Sequence, residues 1–245
     1  MIDIHSHILP GLDDGPQTLE EAREMARMAV EDGIRIMVAA PHLFPRKDLN
    51  LEKINHKETI IDHIARFSQD LMQEGIALEI IPGCDVPLSM ETLELLQQGR
   101  VLTINDANRY ILLELPGTAF PPGTEQICFD LKSRGITPII THPERHLIIQ
   151  EMPQKLKSLL ELGCLAQVTA SSLLGGFGRS IAKFTRQLLT KGYCHIIATD
   201  AHDTWKRPPL LRRAVEEAAR LIGEQRAWAM VTDLPEKIIK GESCF

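Results

Sequence analysis

Short apolar runs recur along this chain, and each one ends in a side chain that can bind a metal ion. The first run, residues 2–4, leads into His5 and His7, which are two residues apart and so project from one face of a strand. Later runs at residues 38–40, 78–81, 110–113, 138–141 and 196–199 lead into His42, Asp85, Glu114, His142 and the pair Asp200 and His202. The repetition predicts that metal-binding side chains collect at the ends of several strands.

Segments with helical periodicity separate these runs. We expect further strands at residues 34–40, 78–81, 110–115, 138–141, 165–168 and 195–199, alternating with helices. This alternation is typical of a parallel sheet, and about seven β/α units favour a closed or nearly closed α/β barrel over an open sheet. In such barrels the chemistry lies at the C-terminal ends of the strands. No repeat or linker marks a second domain, so we expect one domain over residues 1–245.

The first two helices are predicted in detail. Thr18 and Glu21 have the spacing of a capping box, and the helix that they begin should stop near Gly33. A longer helix is predicted over residues 51–74. Its apolar face should contain Ile54, Ile61, Ile64, Phe67 and Leu71. His56 and His63 also lie in this segment, and we expect them on its solvated face.

Composition restricts the classes of function. The net charge of −6 argues against a nonspecific nucleic-acid-binding protein. The N-terminus lacks the pattern of a secretory signal, and no run approaches the roughly 18 apolar residues of a membrane span. Five scattered cysteines without a CxxC pair fit reduced thiols. We therefore expect a cytoplasmic protein that is not inserted in a membrane.

The candidate ligands are imidazoles and carboxylates, without a cysteine. Zn, Mn and Fe all accept such ligands, and a set rich in oxygen and nitrogen favours Mn or Fe as much as Zn. The alternative to a metal site is a site built on a reactive thiol. Cys128 and Arg134 have the C-x5-R spacing of thiol-based tyrosine phosphatases. The residues between them contain no glycine and have a helical pattern, so we expect an inert core thiol. The Gly-Gly-Phe-Gly run at residues 175–178 has neither a Walker lysine nor the dinucleotide spacing, which favours a flexible loop.

The combined motifs resemble those of the polymerase-and-histidinol-phosphatase (PHP) superfamily of metal-dependent phosphoesterases. They are His5-x-His7, Asp14, His42, Glu114, His142 and Asp200-x-His202. Within this superfamily, residues 4–16, residues 141–145 and residues 199–202 followed by Arg207-Pro208-Pro209 are similar to the bacterial CpsB/YwqE-type protein-tyrosine phosphatases. The likeness spans nearly the whole chain.

The resemblance implies a distorted (β/α)7 barrel that holds three divalent metal ions, usually described as Mn. Carried over by motif, the first metal has the ligands His5, His7, Asp85 and Asp200, the second Asp85, Glu114 and His142, and the third Asp14, His42 and His202. Members commonly carry glutamate at the position of Asp85, and aspartate is one methylene shorter. Either the backbone approaches more closely here, or the first two metals are shared less evenly.

Such a site implies hydrolysis of a phosphate ester. Clustered metals lower the pKa of a bridging water, so that hydroxide is available for in-line attack on phosphorus. Positive groups must also meet the nonbridging oxygens. Arg145 and Arg207 follow the ligands His142 and His202 closely, and the planar guanidinium suits phosphate better than a lysine does. We expect His146 to face water.

Three hypotheses for function follow. The resemblance implies a protein-tyrosine phosphatase that acts on the tyrosine-rich tail of a bacterial kinase controlling capsule or exopolysaccharide export. The second keeps the site but changes the substrate to a small phosphomonoester such as histidinol phosphate. The third is a noncatalytic metal-binding or polymerase-associated module, and the complete ligand set with both arginines argues against it. The oligomeric state stays open.

Overall fold

The computed structural model describes residues 1–44 and 54–244. Within these ranges, all strands are parallel and belong to two sheets. The first sheet has the order β1-β2-β3, with β1 at Ile2–Ser6, β2 at Ile36–Ala39 and β3 at Glu79–Pro82. The second has the order β4-β5-β6-β7-β8, with strands at Asp85–Pro87, Tyr110–Glu114, Thr137–Thr141, Leu165–Thr169 and Ile196–Ala198. The predicted α/β class with parallel sheets is confirmed.

Helices lie between the strands, as the periodicity predicts. Those that precede β8 are α1 Leu19–Asp32, α2 Lys57–Gln73, α3 Met90–Gln97, α4 Thr124–Ser133, α5 Leu147–Glu151, α6 Gln154–Glu161, α7 Ala170–Leu174 and α8 Arg179–Lys191. The chain after β8 forms α9 Arg212–Ile222, α10 Glu224–Ala229 and α11 Asp233–Ile239. Two short 3-10 helices lie at Ile104–Asp106 and Pro143–Arg145.

Helix α1 begins and ends close to the predicted positions. The Glu21 amide donates to the Thr18 hydroxyl (3.2 Å), which is one half of a capping box. The Glu21 carboxylate accepts from the Gln17 amide (3.1 Å) rather than from Thr18. Gly33 follows the helix with a φ of 98°, a left-handed conformation that glycine adopts without a steric penalty.

Helix α2 differs from its prediction. It begins at Lys57, and residues 51–53 of the predicted segment lie outside the described residues. Its buried face contains Ile60, Ile64, Phe67 and Leu71. Ile61 was wrongly assigned to this face and is 40% exposed, because spacings of 4, 3 and 4 from Ile60 form one helical stripe and place Ile61 beside it. His56 is exposed at the N-cap, and His63 is half-buried.

The chain passes from one sheet to the other between β3 and β4, which the sequence prediction treated as a single strand end. Gly83 lies in this passage, where an added Cβ would be 2.5 Å from Cγ1 of Val38. The chain then pairs with β5 from Asp85 onward. The absence of a side chain at Gly83 leaves room for Val38 in this passage, and Asp85 follows as the first residue of β4.

Backbone hydrogen bonds connect the first sheet to the second beyond the ends of β2 and β1. Beyond the end of β2, the Leu43 amide donates to the Asp85 carbonyl (2.9 Å). Beyond the end of β1, the His7 amide donates to the Ala201 carbonyl (2.9 Å). An inner core contains side chains from both sheets, including Ile4, Val38, Ile81, Leu112, Ile139, Leu165 and Ile196. A larger core lies between the strands and the helices.

None of the helices in the described ranges has both the length and the hydropathy that crossing a bilayer requires.

Candidate metal and phosphate site

The candidate ligands meet at the edge where the strands end. His5 lies on β1, Asp85 begins β4 and Glu114 ends β5. The others lie on loops that follow β1, β2, β6 and β8, and they are His7, Asp14, His42, His142, Asp200 and His202. Among the described residues, their donor atoms form three overlapping groups: His5, His7 and Asp200; His7, Asp14, His42 and His202; and His42, Asp85 and Glu114.

The first group is buried beside the end of β1. The Nε2 atoms of His5 and His7 lie 3.6 and 3.4 Å from Oδ1 of Asp200. Oδ2 of Asp85 lies 3.8 Å from His5 Nε2. The four residues predicted for the first metal therefore lie together.

The second group faces solvent through Asp14. Oδ1 of this aspartate lies 3.4 Å from His42 Nε2 and 3.3 Å from His202 Nε2. The Asp14 side chain is 53% exposed, whereas both histidines are buried. Gly15 permits the turn, because an added Cβ would lie 2.2 Å from the His7 carbonyl oxygen. The three residues predicted for the third metal are thus adjacent.

The third group differs from the predicted second set in one member. Nδ1 of His42 lies 3.1 Å from Asp85 Oδ2 and 3.7 Å from Glu114 Oε2. Nε2 of His142 lies 3.8 Å from Glu114 Oε1, at the side of the group. His42 therefore stands between the predicted second and third sets, with one ring nitrogen toward each.

The donor set fits bound cations. Nε2 of His5, His7, His42 and His202 and both carboxylate oxygens of Asp85 are buried and have no hydrogen-bond partner within residues 1–44 and 54–244. A buried carboxylate without hydrogen bonds costs several kcal/mol, and a metal ion removes that cost. Divalent cations that accept nitrogen and oxygen ligands are the natural partners for these atoms.

Two residues that sequence reasoning did not assign orient the histidines. Nδ1 of His7 lies 2.6 Å from Asp13 Oδ2, and Nδ1 of His5 lies 3.0 Å from Gln167 Oε1. Each oxygen accepts the Nδ1 proton, which leaves Nε2 of the same ring free to face the site. Asp13 is adjacent in sequence to the candidate ligand Asp14, and this adjacency was an available sequence signal. No sequence signal pointed to Gln167, which lies inside β7.

Asp3 fixes β1 against the end of β8. Its carboxylate accepts from the Thr199 amide (3.1 Å), from the Thr199 hydroxyl and from the His5 amide (3.2 Å). Burial raises the pKa of Asp3 to about 7. Its position two residues before His5 places it on the same face of β1, and this alternation was an available sequence signal.

Two candidate ligands have a left-handed backbone conformation at or just after the end of a strand. His142 has a φ of 36° and Asp200 a φ of 51°, and each follows a strand of the second sheet directly or after one residue. Such conformations cost on the order of 1–3 kcal/mol outside glycine and cluster at functional sites. Here they end the extended conformation and turn the two side chains into the site.

Both predicted arginines contact one carboxylate oxygen. Nη2 of Arg145 and Nη2 of Arg207 each lie 2.5 Å from Asp200 Oδ2. The two guanidinium groups line a cavity of about 210 Å³ together with His42, Glu114, His142 and Asp200. The cavity adjoins the candidate metal ligands and has the positive walls that a phosphate group requires.

Neighbouring charges set the ionisation of the site. Burial alone would raise the pKa of Asp200, but Arg145 and His5 outweigh it and hold that pKa well below its usual range. Burial likewise opposes ionisation of Asp85, and its histidine neighbours His5 and His42 still lower its pKa. Burial and then Arg145 hold the pKa of His142 well below its usual value. Ionised carboxylates and a neutral imidazole are the forms that bind metals.

The prediction that His146 faces water is wrong. This side chain is 3% exposed, its Nε2 lies 3.0 Å from the Ala119 carbonyl oxygen, and its Nδ1 accepts from the Ile149 amide (3.2 Å). It caps α5, so it has a structural position beside the site. Cys128 is fully buried on α4 as predicted, and its contact with Cys164 and its burial raise its pKa.

The loop at residues 175–178 places an aromatic ring against one arginine. Cζ of Arg145 lies 4.9 Å from the centroid of the Phe177 ring. Gly176 packs so closely that an added Cβ would be 2.0 Å from Ser171 Oγ. The sequence carried no signal for this contact, because a phenylalanine between glycines is typical of many loops.

The chain is similar to characterised proteins over its whole length. The family profile described as "Capsular polysaccharide synthesis, CpsB/CapC" matches residues 1–240. The chain is 34% identical to tyrosine-protein phosphatase YwqE of Bacillus subtilis (strain 168), over 100% of this chain and 94% of that protein. It is also 34% identical to the putative tyrosine-protein phosphatase CapC of Staphylococcus aureus, over 87% of this chain and 81% of that protein.

A solved structure supports the same relationship. It is described as "Crystal structures of YwqE from Bacillus subtilis and CpsB from Streptococcus pneumoniae, unique metal-dependent tyrosine phosphatases". The two folds agree with a TM-score of 0.94 at 33% identity, over 100% of this chain and 96% of that one. With its ligand positions, its two arginines and its full-length match to the family profile, the chain belongs to the CpsB/CapC family of capsular polysaccharide synthesis.

Proposed function

We propose that this protein is a metal-dependent protein-tyrosine phosphatase. The observation that carries the proposal is the juxtaposition of three groups of candidate metal-ligand side chains, in which Nε2 of four histidines and both oxygens of Asp85 have no hydrogen-bond partner among the described residues, with a cavity lined by Arg145 and Arg207. The names of its relatives in Bacillus subtilis and Staphylococcus aureus favour phosphotyrosine over other phosphate esters. Phosphoproteins are then its substrates, and a bacterial tyrosine kinase with a phosphorylated C-terminal tail is the partner that we propose.

The residues that would hold the metals are those of the three groups together with His142. Divalent metals bound there supply Lewis acidity and an activated water at neutral pH. We propose manganese, and iron or zinc also suits nitrogen and oxygen ligands. Cys84 is next to Asp85 in the sequence, but its thiol donates to the Pro41 carbonyl (3.3 Å) and burial raises its pKa. A protonated thiol is a poor metal ligand.

The chain's own groups bind and orient the ester. Arg145 and Arg207 present their Nη2 atoms on one side of the cavity, where they would bind nonbridging oxygens of the phosphate. Asp13 and Gln167 hold the rings of His7 and His5 in fixed orientations. Hydrolysis of the ester by water releases inorganic phosphate and the tyrosine hydroxyl.

The proposal includes the closure of the fold. The shared inner core and the hydrogen bonds at both sides support a single distorted (β/α)7 barrel, in which β3 and β4 act as one broken strand. We propose that residues 1–245 form this one domain and that it acts in the cytoplasm on capsule or exopolysaccharide synthesis.

The test compares three substrates on metal-stripped and manganese-loaded protein. We expect hydrolysis of p-nitrophenyl phosphate that needs the metal and stops with a chelator, and faster hydrolysis of a phosphotyrosyl peptide than of histidinol phosphate. The His5→Ala/His7→Ala variant should lose activity, and Cys128→Ser, the control, should keep it. A preference for histidinol phosphate would support the second hypothesis. Absence of any metal-dependent turnover would support the noncatalytic module.

A further inference from the structure

A second cavity opens beside the arginine-walled one. It has a volume of about 220 Å³, and its apolar walls are formed by Phe44, Pro87, Leu88, Leu115 and Pro116. His42, Glu114, Leu115 and Gly117 line both cavities, so the two lie side by side. An apolar cavity thus adjoins one that contains two arginines, with two candidate metal ligands at their border.

We propose that this apolar cavity receives the aromatic ring of the phosphotyrosyl substrate while the phosphate occupies the arginine-walled cavity. The inference rests on the proposed function and adds to it the determinant of aryl specificity. The volume is sufficient, since an engineered apolar cavity of about 150 Å³ binds benzene. A seryl or threonyl phosphate has no ring and would leave this apolar surface in contact with water.

The cavity is built on rigid elements next to the ligands. Leu88 follows β4 directly, and its amide donates to the Glu114 carbonyl (2.7 Å). Pro87 pairs in register with Glu114 across β4 and β5. Leu88 and Leu115 are 4% and 5% exposed, so their side chains form a preorganised floor. Because the backbone that carries Glu114 also carries this floor, the ring position is fixed relative to the site.

The lining also selects against other occupants. Among the residues that the structure describes, the ionisable side chains that line the apolar cavity are His42 and Glu114, which it shares with the ligand groups. A histidinol side chain has an ammonium group and an imidazole, and burying them against the leucine and proline walls costs free energy that, among the described lining residues, only the candidate metal ligands His42 and Glu114 could offset. A tyrosyl ring loses only its contact with water.

The test uses two phosphopeptides of one sequence, with phosphotyrosine or phosphoserine at the same position. Leu88→Asn keeps the side-chain size and places an amide in the floor, and Leu159→Asn on α6 is the matched buried control outside the cavity. We expect the ratio of kcat/KM for the two peptides to fall about tenfold in Leu88→Asn and to stay within about twofold in the control. A ratio unchanged in Leu88→Asn, or lowered equally in both variants, overturns the proposal.

A binding measurement separates this inference from the proposed function. Phenylphosphonate and methylphosphonate carry the same anionic group, and calorimetry on metal-loaded wild-type protein compares their affinities without turnover. We expect phenylphosphonate to bind about tenfold more tightly, which corresponds to about 1.4 kcal/mol. Equal affinities overturn the proposal even if Leu88→Asn does not fold. A protein that prefers the phenyl ligand but hydrolyses neither peptide would instead contradict the proposed phosphatase activity alone.

Discussion

Asp13 should control metal affinity without touching a metal. Its Oδ2 accepts from His7 Nδ1 (2.6 Å) and from the His42 amide (2.9 Å), and its Oδ1 accepts from the Gly15 amide (3.0 Å). In Asp13→Asn one of these oxygens becomes an amide nitrogen, which cannot accept. The variant therefore loses at least one hydrogen bond and also the negative charge that faces His7.

The size of the effect follows from these contacts. A hydrogen bond to a charged group contributes about 1.5–3 kcal/mol, and replacing a residue that orients a ligand lowers metal affinity about 10- to 100-fold. We expect Mn affinity to fall within this range, because an amide oxygen holds the His7 ring more weakly and makes Nε2 less basic. Titration calorimetry on metal-stripped protein measures the change directly.

Asp32→Asn is the matched control. Oδ2 of Asp32 also accepts two backbone amides, from Leu211 (2.6 Å) and Arg212 (2.9 Å), but no histidine. It should lower stability and leave Mn affinity within about twofold. If Asp13→Asn binds Mn as tightly as the wild type, or if both variants weaken binding equally, the orienting role of Asp13 is refuted.

Three further outcomes are expected. If metal is present at about 100 times its Kd, removing it should lower the free energy of unfolding by about 2.7 kcal/mol and Tm by about 5–10 °C. Scanning calorimetry measures the shift, and an unchanged Tm contradicts metal binding by the folded state. Arg145→Lys should lower kcat/KM for a phosphotyrosyl peptide about 10- to 100-fold, because a lysine cannot present two parallel donors; equal activity would remove Arg145 from phosphate binding. Phe177→Leu should lower kcat/KM about two- to fivefold and Phe177→Trp should restore it; no difference between them would exclude a cation–π contribution.

The proximity of the candidate ligands was predictable because one rule governs their positions. Parallel strands have their C-terminal ends at the same edge, so a metal-binding residue after each apolar run must lie near the others. His5, Glu114 and Asp200 are far apart in the sequence and still fall within one site. This prediction used only the order of apolar runs and metal-binding residues along the sequence, so errors in the predicted strand lengths did not affect it.

The grouping of the ligands was not predictable in the same way. It depends on where each strand stops, and β4 and β8 have only three residues each. A shift of one residue reverses the face that a side chain occupies. His42 Nδ1 lies 3.1 Å from Asp85 Oδ2, beside the position that the motif assigns to His142, and the assignment of ligands to individual metals stays a prediction.

His146 was misjudged for a different reason. A polar residue next to an arginine usually faces solvent, but a 3-10 helix at Pro143–Arg145 ends there and α5 begins at once. The first amide groups of a helix need acceptors, and the His146 ring accepts one of them. Local capping thus outweighed the general tendency of histidine to be exposed, and the ring became buried.

Asp200 connects the two chemical halves of the site. Its Oδ1 faces the two N-terminal histidines, and its Oδ2 accepts from both arginines. A cation bound at Oδ1 would withdraw negative charge from the carboxylate and weaken its hold on Arg145 and Arg207. A phosphate could then compete for the guanidinium groups at lower cost. Because one carboxylate is divided between a metal group and an anion cavity, we expect metal binding to favour phosphate binding, and by linkage the reverse.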